Sequence, residues 1–270
     1  MYFRLKSKSA RFGAFIFGMI LVATFFGGTL FDKNSDKVPV AEKRLSGPSA
    51  AHFFGTDQLG RDVFSRVLSG GRLSLTVSLT VVSLSLIIGL VYGALSAALG
   101  GIWDHLLMRI VDMLLSFPLI FLAITCMALF GGGISYLIIV LALTSWMDVA
   151  RLVRAEVLTL KQRPFVLRAK AAGLGSWTTL FRHIVPHVFV TISAFAIIRM
   201  ADIILIESSL SFIGLGVQPP QASWGGILND GWPVLSSAWW MSFFPGIAIV
   251  LSITSLNLIG NALKSRWEAD

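Results

Sequence analysis

Between Asp112 and Asp148 the chain runs for 35 residues, Met113–Met147, without a single charge. As one helix rising 1.5 Å per residue, that run would measure roughly 52 Å. The hydrocarbon core of a bilayer is only about 30 Å thick. The run is therefore too long for one crossing and must turn. Gly131-Gly132-Gly133 is the natural break, because glycine supplies the backbone freedom that a tight turn needs. Two spans are predicted, near 107–130 and near 134–153. Three further uncharged runs, Phe12–Phe31, Leu73–Ile102 and Trp239–Leu263, hold 20, 30 and 25 residues. About 20 suffice to cross. With another span over roughly 188–214, the expected fold class is an all-α integral membrane protein with six transmembrane helices.

Composition excludes several alternatives. Charged residues make up 13% of the chain, against roughly 25% in soluble domains. The net charge of +8 could suggest nucleic acid. However, the basic residues cluster at the ends of apolar runs, which is the pattern of membrane topology, and no nucleic-acid partner is expected. Cys126 is the sole cysteine, so neither a disulfide nor a thiolate metal site can be built from it. Arg4, Lys6, Lys8 and Arg11 precede Phe12–Phe31, as in a signal peptide. Its uncharged stretch exceeds the roughly 7–15 residues of a signal core, so an uncleaved first helix is expected. There is no GxxxxGK(S/T) phosphate loop, no HExxH and no Ser/His/Asp arrangement in catalytic context. The chain is read as a non-enzyme that binds no cofactor itself. His183 and His187 are four apart, but Pro186 between them opposes a regular helix, and no metal site is expected.

Lys and Arg near span ends set the orientation. The tail 1–11, the loop 151–187 and the tail 264–270 are expected on the cytoplasmic side, with both termini inside. The first helix covers 12–31. The segment 32–72 is expected outside, carrying a short interfacial amphipathic helix built on Phe64, Val67 and Leu68. Residues 73–263 form a five-helix transport core that includes the 151–187 loop. That loop holds Arg151, Arg154, Lys161, Arg163, Arg168, Lys170 and Arg182 against the single acid Glu156. In a helix, Phe165, Ala169 and Ala172 share one face, which suits apolar contact with a partner.

Charges inside the spans are costly and should face protein or water. Arg199, Asp202 and Glu207 fall in the fifth span, and Arg199 and Asp202 can pair at three-residue spacing. Either they line a pathway or they pair between helices. Asp148 with Arg151, and Asp112 beside Arg109, are expected as local salt bridges. Gly89, Gly93, Ala97 and Gly101 recur at four-residue spacing, which permits close helix approach within the chain or with a second subunit.

Three long strings carry a family resemblance. They are HFFGTDQLGRDVFSRVLSGGRLSL (52–75), ESSLSFIGLGVQPPQASWGGILNDG (207–231) and FPGIAIVLSITSLNLIGNAL (244–263). Through them the chain resembles the permease subunits of bacterial ATP-binding-cassette importers of the dipeptide, oligopeptide and nickel branch, of the second-permease type. The resemblance implies the type I importer permease fold in the bacterial inner membrane. It implies a second homologous permease as heterodimer partner, two cytoplasmic ATPases that carry ATP and Mg, and an extracytoplasmic substrate-binding protein. Peptide is the first expected cargo, with nickel or chelated nickel as the alternative. An ATPase-independent secondary transporter is the remote rival; it predicts internal repeats, and none is evident. The family's coupling loop reads Glu-Ala-Ala, three residues, Gly, then an apolar-Pro ending. Here the box falls on Leu167, Arg168 and Ala169, the glycine is Gly173 and the ending is Val185-Pro186. The glutamate and first alanine of the box have departed. The resemblance implies ATPase coupling by Phe165, Leu167, Arg168, Ala169, Ala172, Gly173 and Pro186.

Overall fold

A computed structural model of the chain describes residues 7–27, 43–131 and 133–267. Arg4, Lys6, the end of the expected first span (28–31), residues 32–42, Gly132 and the last three residues of the 264–270 tail lie outside the described residues. The described part is helical: α1 (Lys8–Gly27), α2 (Val63–Leu99), α3 (Gly101–Leu115), α4 (Leu119–Phe130), α5 (Ile134–Leu160), α6 (Pro164–Ala171), α7 (Ser176–Phe212), α8 (Trp224–Gly231) and α9 (Trp240–Trp267). Five of these are long and apolar enough to cross a bilayer, and α3 with α4 makes a sixth span if the bent pair is taken as one.

Two expectations about span boundaries are corrected. The stretch 107–130 is not one straight helix, because α3 and α4 meet at a 77° bend over Ser116, Phe117 and Pro118. Pro118 has no N–H for a helical bond and drives Phe117 out of the helical region, so the helix stops and restarts. The expected interfacial helix near 63–72 is not separate either. It forms the first turns of α2, whose start is capped by the Asp62 carboxylate accepting from the Ser65 N–H at 2.9 Å. Val63, Val67 and Leu68 are buried in the bundle rather than laid on a lipid surface. The chain does turn at the glycine run, between Phe130 and Ile134.

Helix α2 is the spine. Its 37 residues would span roughly 55 Å, well beyond a bilayer core. Three apolar clusters follow one another along it. Val63–Leu75 pack with Trp224, Trp240 and Met241 at one end. Val77–Val82 pack with α4, α5 and α7 in the middle. Ala94 and Ala97 pack with Val153, Val157, Val166 and Ile184 at the other end.

The most extensive helix contact is α2 against α5. Gly89 and Gly93 make it possible. A Cβ at Gly89 would lie 2.5 Å from the Val149 Cβ, and one at Gly93 would lie 2.9 Å from the Val153 Cβ and collide with the Ala150 carbonyl. The small-residue stripe is thus spent inside the chain, on α5. Gly101 does not belong to it, since no atom would meet a side chain there.

The 43–62 segment is held to the bundle by polar contacts rather than by a helix of its own. Asp57, almost wholly buried, accepts from the N–H groups of Leu59 and Arg61 and from the guanidinium groups of Arg61 (2.7 Å) and Arg66 (2.6 Å). Arg66 reaches on to Asp230 of α8 at 2.9 Å. The Trp240 indole donates to the Thr56 carbonyl at 3.1 Å. Removing one partner of a buried ion pair strands the other in a poor solvent, at about 3–5 kcal/mol. Asp57 keeps Arg61, so Arg66→Ala is expected near the lower end of that range, read as early loss of the monodisperse detergent-solubilised protein on heating.

Candidate functional site

The loop between α5 and α7 folds into an elbow. Pro164 occupies the first turn of α6, where its missing N–H is harmless. The helix ends at Gly173, whose φ of +81° only glycine adopts without strain. There the Gly173 N–H donates to the Lys170 carbonyl (2.9 Å) and the Leu174 N–H to the Ala169 carbonyl (3.2 Å), closing the last turn. Val166, fully buried, pins the elbow against Val157, Leu160, Leu180 and Ile184.

The elbow's outward face differs from the one expected. Phe165 is half-buried and its ring stacks on His187, centroids 4.9 Å apart. Ala169 is half-buried as well. The exposed apolar surface is instead Leu167 (53% exposed) and Ala171, four apart on α6, with Leu174 exposed just past the Gly173 turn. Arg168 and Ala172 are exposed beside them. Pro186, also exposed, sits just after a π-helical turn, Leu180–Ile184, in the run of α7. The wider turn lies where the proline withdraws its N–H. The His187 ring Nδ1 donates to the His183 carbonyl at 2.7 Å.

The membrane charge Arg199 pairs both across helices and along its own, where the expected Arg199–Asp202 pair forms. Arg199 of α7 forms an ion pair with Asp148 of α5 and a longer one, 3.4 Å, with Asp202. Its guanidinium also lies over the Phe195 ring at 5.2 Å, while its Nε is buried and unpartnered among the described residues. The expected Asp148–Arg151 bridge does not form. Arg151 binds Asp112 at 2.6 Å, both well exposed, and Asp112 is therefore not Arg109's partner. Asp202 is 48% exposed, so two carboxylates face one guanidinium and one of them opens off the chain.

Glu207 stands apart from that cluster. It is completely buried, and its carboxylate accepts from the hydroxyls of Ser211 (2.8 Å) and Ser208 (3.4 Å), with the hydroxyls of Ser74 and Ser223 close by. Those serines belong to α7, α2 and the start of α8, so Glu207 ties three elements together. Gly225 packs directly on the Ser208 backbone, closer than any side chain would allow. Ser74 in turn accepts from the Trp224 N–H at 3.4 Å.

Two ion-pair systems had no sequence signal: Asp57–Arg66–Asp230, and Asp104 with Arg154. In the second, Arg154 grips both carboxylate oxygens at 2.6 Å, and Ser96 donates to one of them at 2.5 Å. Asp104 and Arg154 lie 50 residues apart and Arg66 and Asp230 lie 164 apart, beyond the reach of local spacing, while Asp57 and Arg66, 9 apart, meet across the start of α2.

Residues 85–269 match the family described as binding-protein-dependent transport system inner membrane component. The chain is 37% identical over 260 residues to the dipeptide transport system permease protein DppC of Bacillus subtilis, covering 96% of this chain and 81% of that protein. It is 38% identical over 252 residues to the glutathione transport system permease protein GsiD of Pectobacterium atrosepticum, covering 93% and 83%. It is 37% identical over 251 residues to the oligopeptide transport system permease protein OppC of Haemophilus influenzae, covering 93% and 80%.

Proposed function

Because the chain belongs to the family of binding-protein-dependent transport system inner membrane components, we propose that it is one of two homologous permeases that together form the pathway of an ATP-driven importer of di- and oligopeptides. The observation that carries this reading is the 37% identity to a dipeptide permease across 96% of the chain. The names of the relatives refer to dipeptides, oligopeptides and glutathione, which favours peptide over nickel as cargo.

In this reading the elbow lies in the cytoplasm with both termini, and segment 43–62 lies outside. Two ATPases, which hold the ATP and Mg, close on nucleotide and push on α6. The exposed Leu167 and Ala171 of α6 seat in the ATPase, with Arg168 beside them and Leu174 just past the turn. Val166 and the Phe165–His187 stack pass the displacement to α5 and α7. A rigid, packed bundle responds by switching between two arrangements rather than by bending smoothly. An external binding protein delivers the peptide at the end bearing Trp224 and Trp240. The ion cluster Asp148–Arg199–Asp202 lies along the route, and Glu207 braces the helices around it.

The test is co-purification of the tagged chain with ATPase subunits, together with uptake of labelled dipeptide in cells with and without those subunits. Uptake that persists without ATPases would end this reading. Orientation has its own check. In a Cys126→Ser background, Gln162→Cys should react with a membrane-impermeant maleimide only after the cells are opened. For the pathway role, Asp202→Asn is expected to slow uptake about tenfold, the change that a barrier rise of 1.4 kcal/mol produces. The amount of assembled complex should stay the same. Full uptake in the folded variant would remove Asp202 from the route.

A further inference from the structure

Next to the elbow is a recess of about 250 Å³, lined among others by Leu99, Lys161, Lys170, Ser176, Trp177 and Thr179. It sits where the end of α2, the end of α5 and the start of α7 meet, and the coupling reading leaves it unused. Its polar lining is made of donors in search of an acceptor. Lys161 donates one N–H to the Ala97 carbonyl at the end of α2 and has two more to give. Burial, and then the neighbouring Lys170, push its pKa below the ordinary lysine value. Asp104 acts on Lys161 in the opposite direction but as the smallest of the three influences, and its oxygens are already held by Arg154 and Ser96. Thr179, 1% exposed, has a buried hydroxyl with no hydrogen-bond partner among the described residues. Buried polar groups in folded proteins almost always find partners, so an orphan beside two cations points to a missing anion.

The rim adds the second half of the chemistry. Leu99 and Trp177 are exposed, and the Trp177 ring stacks with that of exposed Phe181, centroids 6.1 Å apart. Exposed aromatic rings beside a basic recess at the foot of a helical bundle are what the headgroup layer of a bilayer selects. An anion that also carries acyl chains fits both parts.

We infer that this recess binds the phosphate of an anionic phospholipid headgroup, with Lys161, Lys170 and Thr179 as donors and Leu99 and Trp177 against the acyl end. Seated there, the phosphate joins α6 to α7 and to the loop after α5. The stiffness of the coupling elbow then depends on anionic lipid.

The test uses the assembled, delipidated complex and native mass spectrometry with dioctanoyl phosphatidylglycerol, dioctanoyl phosphatidylcholine and inorganic phosphate as separate probes. Phosphatidylglycerol should be retained and the other two should not. Lys170→Gln, an exposed position, should weaken retention about fivefold, the worth of one lysine near an anionic surface. Thr179→Val, which keeps the shape and removes the donor, should also weaken it. Lys161→Gln serves only as a third variant, because it also unties the end of α2. Equal retention by wild type, Lys170→Gln and Thr179→Val would overturn the site. Displacement of the lipid by inorganic phosphate alone would overturn the lipid as its source. Exclusion of the lipid from the assembled complex, with Lys170 cross-linking to an ATPase carboxylate, would give the recess to the ATPase instead. Binding is read directly, so failure here leaves the importer reading standing, and loss of uptake would not count against the site.

Discussion

Leu167→Asp is expected to abolish peptide uptake and the stimulation of ATP hydrolysis by substrate, while the bundle stays folded. Leu167 is an exposed large apolar side chain of α6, outside the buried clusters that hold the elbow. In the proposed complex it is buried against the ATPase. A carboxylate in its place would enter an apolar contact without a partner, and a central contact of this kind is worth about 2 kcal/mol or more, roughly a thirtyfold loss of affinity. The measurement is the yield of ATPase co-purifying with the tagged variant, beside uptake and hydrolysis in proteoliposomes. Arg168→Gln, at the charged rim, should cost much less. Phe165→Ala should behave differently again. Its ring packs on His187 within the chain, so the variant loosens the elbow and lowers thermal stability before it weakens docking. Wild-type coupling in Leu167→Asp would show that force enters the permease elsewhere.

Gly93→Leu is expected to be the most damaging substitution for the fold. The α2–α5 contact is the largest in the molecule, and at Gly93 the two backbones touch. A leucine there must displace the Ala150 backbone and Val153 together, and neither can rotate away. Overpacking in a close-packed interior costs about 1–3 kcal/mol and more where backbone must move, so a loss of at least about 3 kcal/mol is expected. Little folded protein should be recovered from membranes, and what is recovered should lose helicity at low denaturant. Gly18→Ala is the control. It lies in α1 with no atom within 4 Å of the added methyl, and it should be neutral. If Gly93→Leu were as stable as Gly18→Ala, the α2–α5 packing described here would be wrong.

The two predictions differ in how far the sequence alone reached toward them. The elbow was legible as a basic island between apolar runs, since charge cannot stay in hydrocarbon. Its working face was not legible. Helical spacing grouped Phe165 with Ala169 and Ala172, but spacing does not say which face the protein covers. Val166 is buried and Phe165 is taken by His187, which turns Leu167 outward. The same holds for the small-residue stripe. Its four-residue period announced close packing, and only the bundle assigned it to α5 rather than to a second subunit. Pro118 interrupts the long uncharged run as the glycines do, because it has no N–H to give a helix. The chain breaks at both.

The charges divide along the same line. That Arg199, Asp202 and Glu207 must be sheltered follows from their residue types and the cost of charge in lipid. Arg199's added pairing with Asp148, and Arg151's choice of Asp112 over Asp148 three residues away, depend on which helices end up side by side. Hydrophobic length and local spacing act within one segment, so the apolar spans, the membrane and the family are legible in the residues alone, while the break at Pro118 and the start of α2 are not. The pairings, the exposed face of the elbow and the orphan hydroxyl of Thr179 arise in the folded bundle. Those depend on contacts between residues tens to more than a hundred positions apart, whose energies no local pattern records.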